Sequence, residues 1–160
     1  MRKILLTACT GIMLVATSQL VLSADGGPHD KAIQARQAMF KLYGYHMGIL
    51  GGMAKGKIPY DAAIAAEASQ NLDAAANLGQ STFWPAGSDN SNDENVKTRA
   101  LKAIWDTYPE IVEKGEALTK ATGVLAQNAG NGLDALKANM ADVGAACKGC
   151  HDDYRAKKKK

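Results

Sequence analysis

Residues 133–155 read LDALKANMADVGAACKGCHDDYR, and this stretch decides both the fold and the chemistry expected of the chain. Its larger side chains recur at alternating steps of three and four positions, at Leu133, Leu136, Met140, Val143, Cys147, Cys150 and Tyr154. Such spacing places one side of a helix against neighbouring helices, as in a helical bundle. Because both cysteines fall on this line, we expect their sulfur atoms to face the bundle interior.

The five residues from Cys147 to His151 form a C-x-x-C-H sequence, which is the attachment motif of c-type haem. Two thiols one helical turn apart can each bond a haem vinyl group, and the adjacent imidazole of His151 then faces the iron. The residues after His151 include no Met or His, so a sixth iron ligand must come from far upstream or be absent. We therefore predict one covalent haem c, with His151 as the iron ligand.

A thioredoxin-like redox pair and a zinc site are the alternatives for these cysteines. A redox C-x-x-C usually lies at the start of a helix, where the helix dipole lowers a thiol pKa, whereas this pair lies near the end of a long helical pattern. A zinc site needs about four ligands. After residue 24 the chain offers only the two thiols and His29, His46 and His151. Both observations favour haem.

The N-terminal sequence is typical of a secretory signal. Two basic residues, Arg2 and Lys3, precede an apolar stretch that ends in the small residues Ser23 and Ala24. Several polar residues interrupt the stretch, which disfavours a permanent membrane span. We predict that residues 1–24 are a signal peptide that is removed. The mature protein is then expected in the periplasm, where c-type haem is attached, without a membrane anchor.

Removal of 24 of the 160 residues leaves one haem domain over residues 25–160, long enough for a single core and too short for two. The formal net charge of +3 falls to +1 when Arg2 and Lys3 are lost, and nothing indicates a nucleic-acid partner. Lysines 157–160 form a basic tail. A solvated terminus and a docking patch for an acidic protein both remain open for it.

The composition, rich in Ala, Leu, Lys and Gln, favours helix. Four helices are predicted, over residues 30–55, 60–78, 94–128 and 131–157. Pro109 weakens the third, and Asn131 can cap the fourth. Short connections favour an all-α, antiparallel up-down-up-down four-helix bundle, in which the first and last helices run antiparallel.

The inward line of the first helix is expected at Ile33, Arg36, Phe40, Tyr43, Met47, Leu50 and Ala54. Arg36 is unusual on such a line, because an unpaired buried charge is very costly. A haem propionate is its natural partner, and an arginine that extends its charged group to the solvent is the alternative.

The antiparallel arrangement brings residues 36–43 level with His151. Met39 lies about 100° around the helix from Phe40, so it is expected at a flank or an interface. His46 and Met47 lie too deep to reach the iron, and they are expected at surface and packing positions. Tyr43 is the one candidate hydrogen-bond donor for the open side of the iron, and a hydroxyl that points away from the iron is the alternative.

Together these features resemble the cytochrome c′ family, the haem-bearing antiparallel four-helix bundles of the bacterial periplasm. The likeness spans almost the whole chain after residue 24. It is carried by the segments RQAMF (36–40), KGKIPYD (55–61), WPAGSD (84–89), IW (104–105) and CKGCHDDYR (147–155).

The resemblance implies thioether bonds at Cys147 and Cys150 and proximal iron ligation by His151. It also implies a propionate contact from Arg36, and it places Arg155 beside the proximal imidazole. A homodimer is a further implication, which the small-residue faces of the first two helices favour. Electron exchange with redox partner proteins is expected as well.

Phe40 maps onto the residue that faces the open side of the iron, and a phenyl ring has no lone pair to give. Five-coordinate, high-spin iron is therefore expected. Bound O₂ needs a hydrogen-bond donor that Phe40 lacks, whereas NO and CO need little such help. We predict binding of NO and CO, with weak or no binding of O₂.

Two further hypotheses belong to other classes of protein. In the first, a local helix distortion brings Met39 to the iron as a sixth ligand, which gives a low-spin electron carrier. The second is a peroxidase, which needs a distal acid–base histidine. His46 is too deep and His29 lies at the start of the first helix, so no catalytic residue and no enzyme activity are expected.

Overall fold

Four long helices build the domain over residues 27–91 and 97–158, which are the residues that the computed structural model describes. The predicted signal peptide lies outside the described residues. The helices are α1 (Asp30–Ala54), α2 (Ala62–Ala76), α3 (Ala103–Asp106), α4 (Tyr108–Asn128) and α5 (Leu133–Tyr154), with a 3₁₀ turn at Ser81–Phe83.

The long helices pack in a ring, with α1 against α2, α2 against α4, α4 against α5, and α5 against α1. The predicted all-α four-helix bundle is confirmed. Leu50, Leu72, Leu125, Leu136 and Val143 from these helices are fully buried and form the centre of the core. Burial of each such side chain contributes about 1.5–3 kcal/mol. None of the described helices is long and apolar enough to cross a membrane.

The first two helices lie close to their predicted positions. The α1 helix ends at Ala54, and Gly56 follows with φ of 66°, a backbone conformation that suits glycine. The predicted start of α2 at Tyr60 is wrong by two residues. Asp61 caps this helix, because its carboxylate accepts the amide of Ile64 at 2.9 Å.

The predicted helix over residues 94–128 is wrong in its first part. Residues 98–101 are not helical, and α3 is a single turn that ends before Thr107. The α4 helix starts at Tyr108, so Pro109 lies in its first turn rather than in a helix interior. Proline is well tolerated there, because the first amides of a helix have no intrahelical partner.

Both ends of the last helix also differ from the prediction. Asn131 does not cap it, since its side-chain amide donates to the carbonyl of Gln127 at 3.1 Å, and Gly132 precedes α5 with φ of 120°. The helix ends at Tyr154 rather than Lys157. Arg155 is extended there and pairs with Ala100 in an isolated antiparallel bridge.

The buried face of α1 is rotated from the predicted one. Its buried residues are Ile33, Arg36, Met39, Tyr43, His46, Leu50 and Met53. Met39 is therefore a core residue and His46 is buried, so the flank and surface positions predicted for them are wrong. Phe40 is 41% exposed, and Met47 is only partly buried. A helical stripe can step by three or by four residues, and α1 takes the shorter step after Arg36.

We predict that Gly130→Ala destabilises the protein by roughly 1–3 kcal/mol, because overpacking forces the neighbouring groups to move. A Cβ at Gly130 would lie 3.1 Å from the Cβ of Ala66 and 3.2 Å from the carbonyl oxygen of Ala62, where the turn before α5 approaches α2. Urea unfolding measures the change.

Gly115→Ala is the matched control. Gly115 is an exposed position of α4, and a Cβ there would meet nothing within 4 Å. Loss of a helix-interior glycine stabilises by about 0.5–1 kcal/mol. A Gly130→Ala protein as stable as the parent would contradict this account of the α2 contact.

Candidate haem site

The α5 helix carries both predicted attachment cysteines and the predicted iron ligand near its C-terminal end. Cys147 and Cys150 are free thiols and are partly buried, as is His151. Cys147 packs against the core cluster that includes Met39 and Tyr43 of α1. The structure therefore brings the C-x-x-C-H motif and the middle of α1 together, as the antiparallel arrangement predicts.

The thiol pKa values near the C-terminal end of α5 differ from those of a redox C-x-x-C pair. Burial raises the pKa of the Cys147 and Cys150 thiols, whereas a redox pair has a lowered thiol pKa. Burial lowers the pKa of His151, and the charges of Arg155 and Arg99 lower it further. The neutral imidazole is thereby favoured, and this is the form that binds a metal.

Phe40 presents an uncovered aromatic ring on α1. Its ring meets those of Tyr43 and Trp84 edge-on, with centroids 5.5 and 6.2 Å away. Trp84 is in turn 6.2 Å from Trp105. A flat apolar group that covers Phe40 would remove this exposed surface from water, which is favourable.

The Tyr43 hydroxyl is directed towards α2. It donates to the carbonyl of Ala75 at 3.1 Å and lies 3.4 Å from the side-chain amide of Gln80. Burial raises the pKa of Tyr43 to about 12, so the phenol stays protonated at neutral pH. The one distal donor that the sequence offered is therefore engaged elsewhere.

Arg36 is 2% exposed, which confirms its predicted inward position and excludes the alternative of a solvated guanidinium. Nη1 donates to the Ser88 hydroxyl at 2.6 Å and to the carbonyl of Phe83 at 3.4 Å. Nη2 donates to the Ser88 carbonyl and to the Thr98 hydroxyl, the latter at 2.7 Å. The guanidinium also lies 4.7 Å from the Trp84 ring centroid.

These partners of Arg36 are protein groups, and sequence reasoning missed them. Burial lowers the pKa of Arg36, while the negative charge of Asp89 acts in the opposite direction, and arginine keeps its charge. The polar residues of the WPAGSD segment (84–89), which also contains Pro and Gly, were the available signal for these partners. Gly87 has φ of 82° in that loop, which favours glycine.

The residues at this end of the bundle fit a covalently attached haem. Two free thiols lie one helical turn apart, a neutral imidazole follows, and an aromatic ring lies uncovered on the facing helix. Within residues 27–91 and 97–158, no group of three His, Cys, Asp or Glu side chains could hold a metal ion. A zinc site therefore has no further ligands among these residues.

Comparison with known proteins gives the same answer. The family model described as Cytochrome C′ matches residues 31–155. The chain belongs to the cytochrome c′ family. Members of this family carry covalent c-type haem with iron, and so does this chain.

Individual members of the cytochrome c′ family resemble the chain over most of their length. Cytochrome c′ from Halomonas halodenitrificans is 39% identical over 131 residues, which cover 81% of this chain and 98% of that protein. The solved cytochrome c′ from Rhodobacter sphaeroides has a TM-score of 0.78 and 33% identity, over 82% of this chain and all of that one. Another solved cytochrome c′ is described as having an unusual ligand-controlled dimer dissociation. It has a TM-score of 0.74 and 31% identity, over 82% of this chain and 99% of that one.

We predict that Ser88→Ala destabilises the protein by about 1–3 kcal/mol. It removes the hydroxyl that accepts from Nη1 of Arg36 and leaves a buried charged donor with less compensation. Denaturant unfolding of the haem-loaded protein measures the change. Ser81→Ala, at an exposed position, is the control and should shift stability by less than about 0.5 kcal/mol. Equal effects of the two substitutions would refute the role given to Ser88.

Proposed function

We propose that the protein is a periplasmic, high-spin c-type cytochrome that binds NO and CO and exchanges electrons. Cys147 and Cys150 hold the haem, and His151 is the only protein ligand of its iron. The observation that carries the proposal is the C-x-x-C-H motif at the end of α5, at the same end of the bundle as the uncovered ring of Phe40.

The thiols are suited to thioether bonds because they are free and lie one turn apart on one line of α5. Their partial burial directs the cofactor between helices rather than onto the surface. His151 follows directly and is held in its neutral form. When bound, the haem supplies an iron that takes up diatomic ligands and changes charge by one electron.

Phe40 determines what the open side of the iron accepts. Its ring offers neither a lone pair nor a hydrogen-bond donor, and the Tyr43 hydroxyl is occupied by the carbonyl of Ala75. Bound O₂ is therefore not stabilised, whereas NO and CO need little polar help. An incoming ligand must also displace the ring, so entry is slow.

Two arginines, Arg36 on α1 and Arg155 just after α5, are proposed to act on the cofactor. The four contacts of Arg36 use Nη1 and Nη2, so a propionate reaches it through Nε or replaces one of the loop acceptors. Arg155 is exposed next to the end of α5, and its charge acts on His151 and both thiols. This supports its assignment beside the proximal imidazole.

Gas binding and electron exchange, rather than catalysis, are the proposed activities. Peroxidase chemistry needs an acid–base histidine at the open side of the iron. His46 instead lies in a groove with Leu42 of α1 and Leu78 beyond α2. Redox partner proteins are the expected donors and acceptors of the electron.

A low-spin electron carrier with Met39 as sixth ligand is the second candidate. One observation favours it, since Met39 is 5% exposed and belongs to the core cluster against which Cys147 packs. Against it, a thioether ligand would have to leave that packing to reach the iron. Five-coordinate iron below Phe40 requires no such rearrangement.

We predict that Phe40→Ala speeds CO binding to the ferrous protein by roughly tenfold, equivalent to about 1.4 kcal/mol of barrier, because no ring has to move aside. Flash photolysis or stopped-flow mixing measures the rate. Ile58→Ala is the matched control, since Ile58 is equally exposed at 41% but lies beyond the far end of α1. Failure of the parent protein to bind CO and NO would refute the proposal, as would equal rates in all three proteins.

A symmetric dimer through α1 and α2 also belongs to the proposal. Leu42 of α1, Ile64 of α2 and Leu78 just beyond α2 are 43, 48 and 53% exposed. Leu42 and Leu78 line a groove of about 390 Å³, with His46 and Asn71 in its wall. Nδ1 of His46 is buried and has no hydrogen-bond partner among the described residues. A second copy of the chain on this face would cover the apolar groups.

We predict that Leu42→Glu converts the dimer into a monomer, because it places a carboxylate in an apolar interface. Analytical ultracentrifugation of the haem-loaded protein measures the change. Val124→Glu is the matched control, since Val124 is also 43% exposed but belongs to α4. A parent protein that sediments as a monomer, or a Leu42→Glu protein that stays dimeric, would contradict the interface.

A further inference from the structure

The end of α5 is fastened to a segment that is distant in sequence. Residues 99–101 lie antiparallel to residues 154–156, and Ala100 and Arg155 form the bridge between them. We call these paired segments the clasp.

Three hydrogen bonds hold the clasp. The amide of Leu101 donates to the carbonyl of Tyr154 at 3.0 Å, and the amide of Ala156 donates to the carbonyl of Arg99 at 2.8 Å. The Arg99 side chain adds a third, since its Nε donates to the carbonyl of Ala156 at 2.7 Å. The last carbonyls of a helix have no intrahelical partner, so the clasp satisfies one of them at Tyr154.

Side chains also hold the C-terminal end of α5 against α4 and against Thr107, the residue before α4. Tyr154 is 5% exposed, and its hydroxyl lies 2.9 Å from that of Thr107. Lys114 of α4 forms an ion pair with Asp153, with Nζ and Oδ2 3.1 Å apart. The final turn of α5 is thus held from two directions.

The clasp is also continuous with the buried guanidinium on α1. The Thr98 hydroxyl accepts both from Nη2 of Arg36 at 2.7 Å and from the amide of Ala100 at 3.2 Å. The amide of Asn90 donates to the carbonyl of Ala100 at 2.9 Å. The segment that meets α5 is therefore anchored on its other side.

His151 lies in this last turn, three residues before the end of α5. Terminal turns of helices fray, and a metal ligand needs outer contacts that fix its orientation. We propose that the clasp positions His151 against the iron and resists its displacement, with Arg99 as a positioning residue. The proposal rests on the proposed ligation of iron by His151.

Three variants of the haem-loaded protein test the clasp. Arg99→Ala removes the side-chain hydrogen bond, but it also removes a charge close to His151. Ala156→Pro removes only the amide that donates to Arg99, and proline favours an extended residue before it, as Arg155 already is. Lys97→Ala is the control, because it removes an exposed neighbouring charge outside the clasp.

Two measurements report on the position of His151. Resonance Raman of the ferrous protein gives the iron–histidine stretch. Under excess NO, the rate at which the six-coordinate nitrosyl spectrum changes to the five-coordinate one gives the rate at which His151 leaves the iron. Hydrogen exchange gives the opening of residues 150–156. We expect a shifted or broadened stretch, and roughly three- to tenfold faster His151 loss and amide exchange, in both clasp variants. Lys97→Ala should match the parent.

The remaining outcomes would refute either the role of the clasp or the ligation of iron by His151. An unchanged iron–histidine stretch and unchanged rates in both clasp variants would overturn the clasp proposal while leaving the proposed function intact. An effect of Arg99→Ala without one of Ala156→Pro would also overturn it, since charge alone would then explain the change. A parent protein without an iron–histidine stretch would refute ligation by His151, and the clasp proposal with it.

Discussion

The haem site requires the last turn of α5 to be held in one position relative to α1. Two thiols and an imidazole serve a haem only if they stay level with the facing part of α1, where Phe40 lies. Core packing sets the distance between the two helices, through fully buried side chains such as Leu50 and Leu136. A covalent tether keeps a cofactor from leaving, but protein contacts must fix the orientation of the ligand imidazole.

A buried guanidinium organises the long connection between α2 and α4. Because an unpaired charge in the interior is very costly, Arg36 requires the acceptors that Ser88 and Thr98 provide. The Thr98 hydroxyl also accepts a hydrogen bond from the amide of Ala100, and Ala100 pairs with Arg155 after α5. One buried cation on the first helix therefore orders the loop and, through it, the end of the last helix.

The sequence predicted the bundle and the cofactor end because both depend on local patterns. The three–four spacing along α5 and the C-x-x-C-H motif need no tertiary information. The choice between Met39 and Phe40 as the buried residue of α1 does need tertiary information. Both positions continue the apolar stripe, and the packing of the neighbouring helices decides which one is buried. Residues 97–102 were wrongly assigned to a helix, because the pairing of residues 99–101 with residues 154–156 overrides their helix propensity.

Ferric electron paramagnetic resonance gives the decisive test, since it reports the spin state and thus the number of iron ligands. We predict a high-spin spectrum of five-coordinate iron, the same in the parent and in Met39→Leu. A low-spin spectrum in the parent that becomes high-spin in Met39→Leu would contradict it, because a protein atom would then fill the position below Phe40.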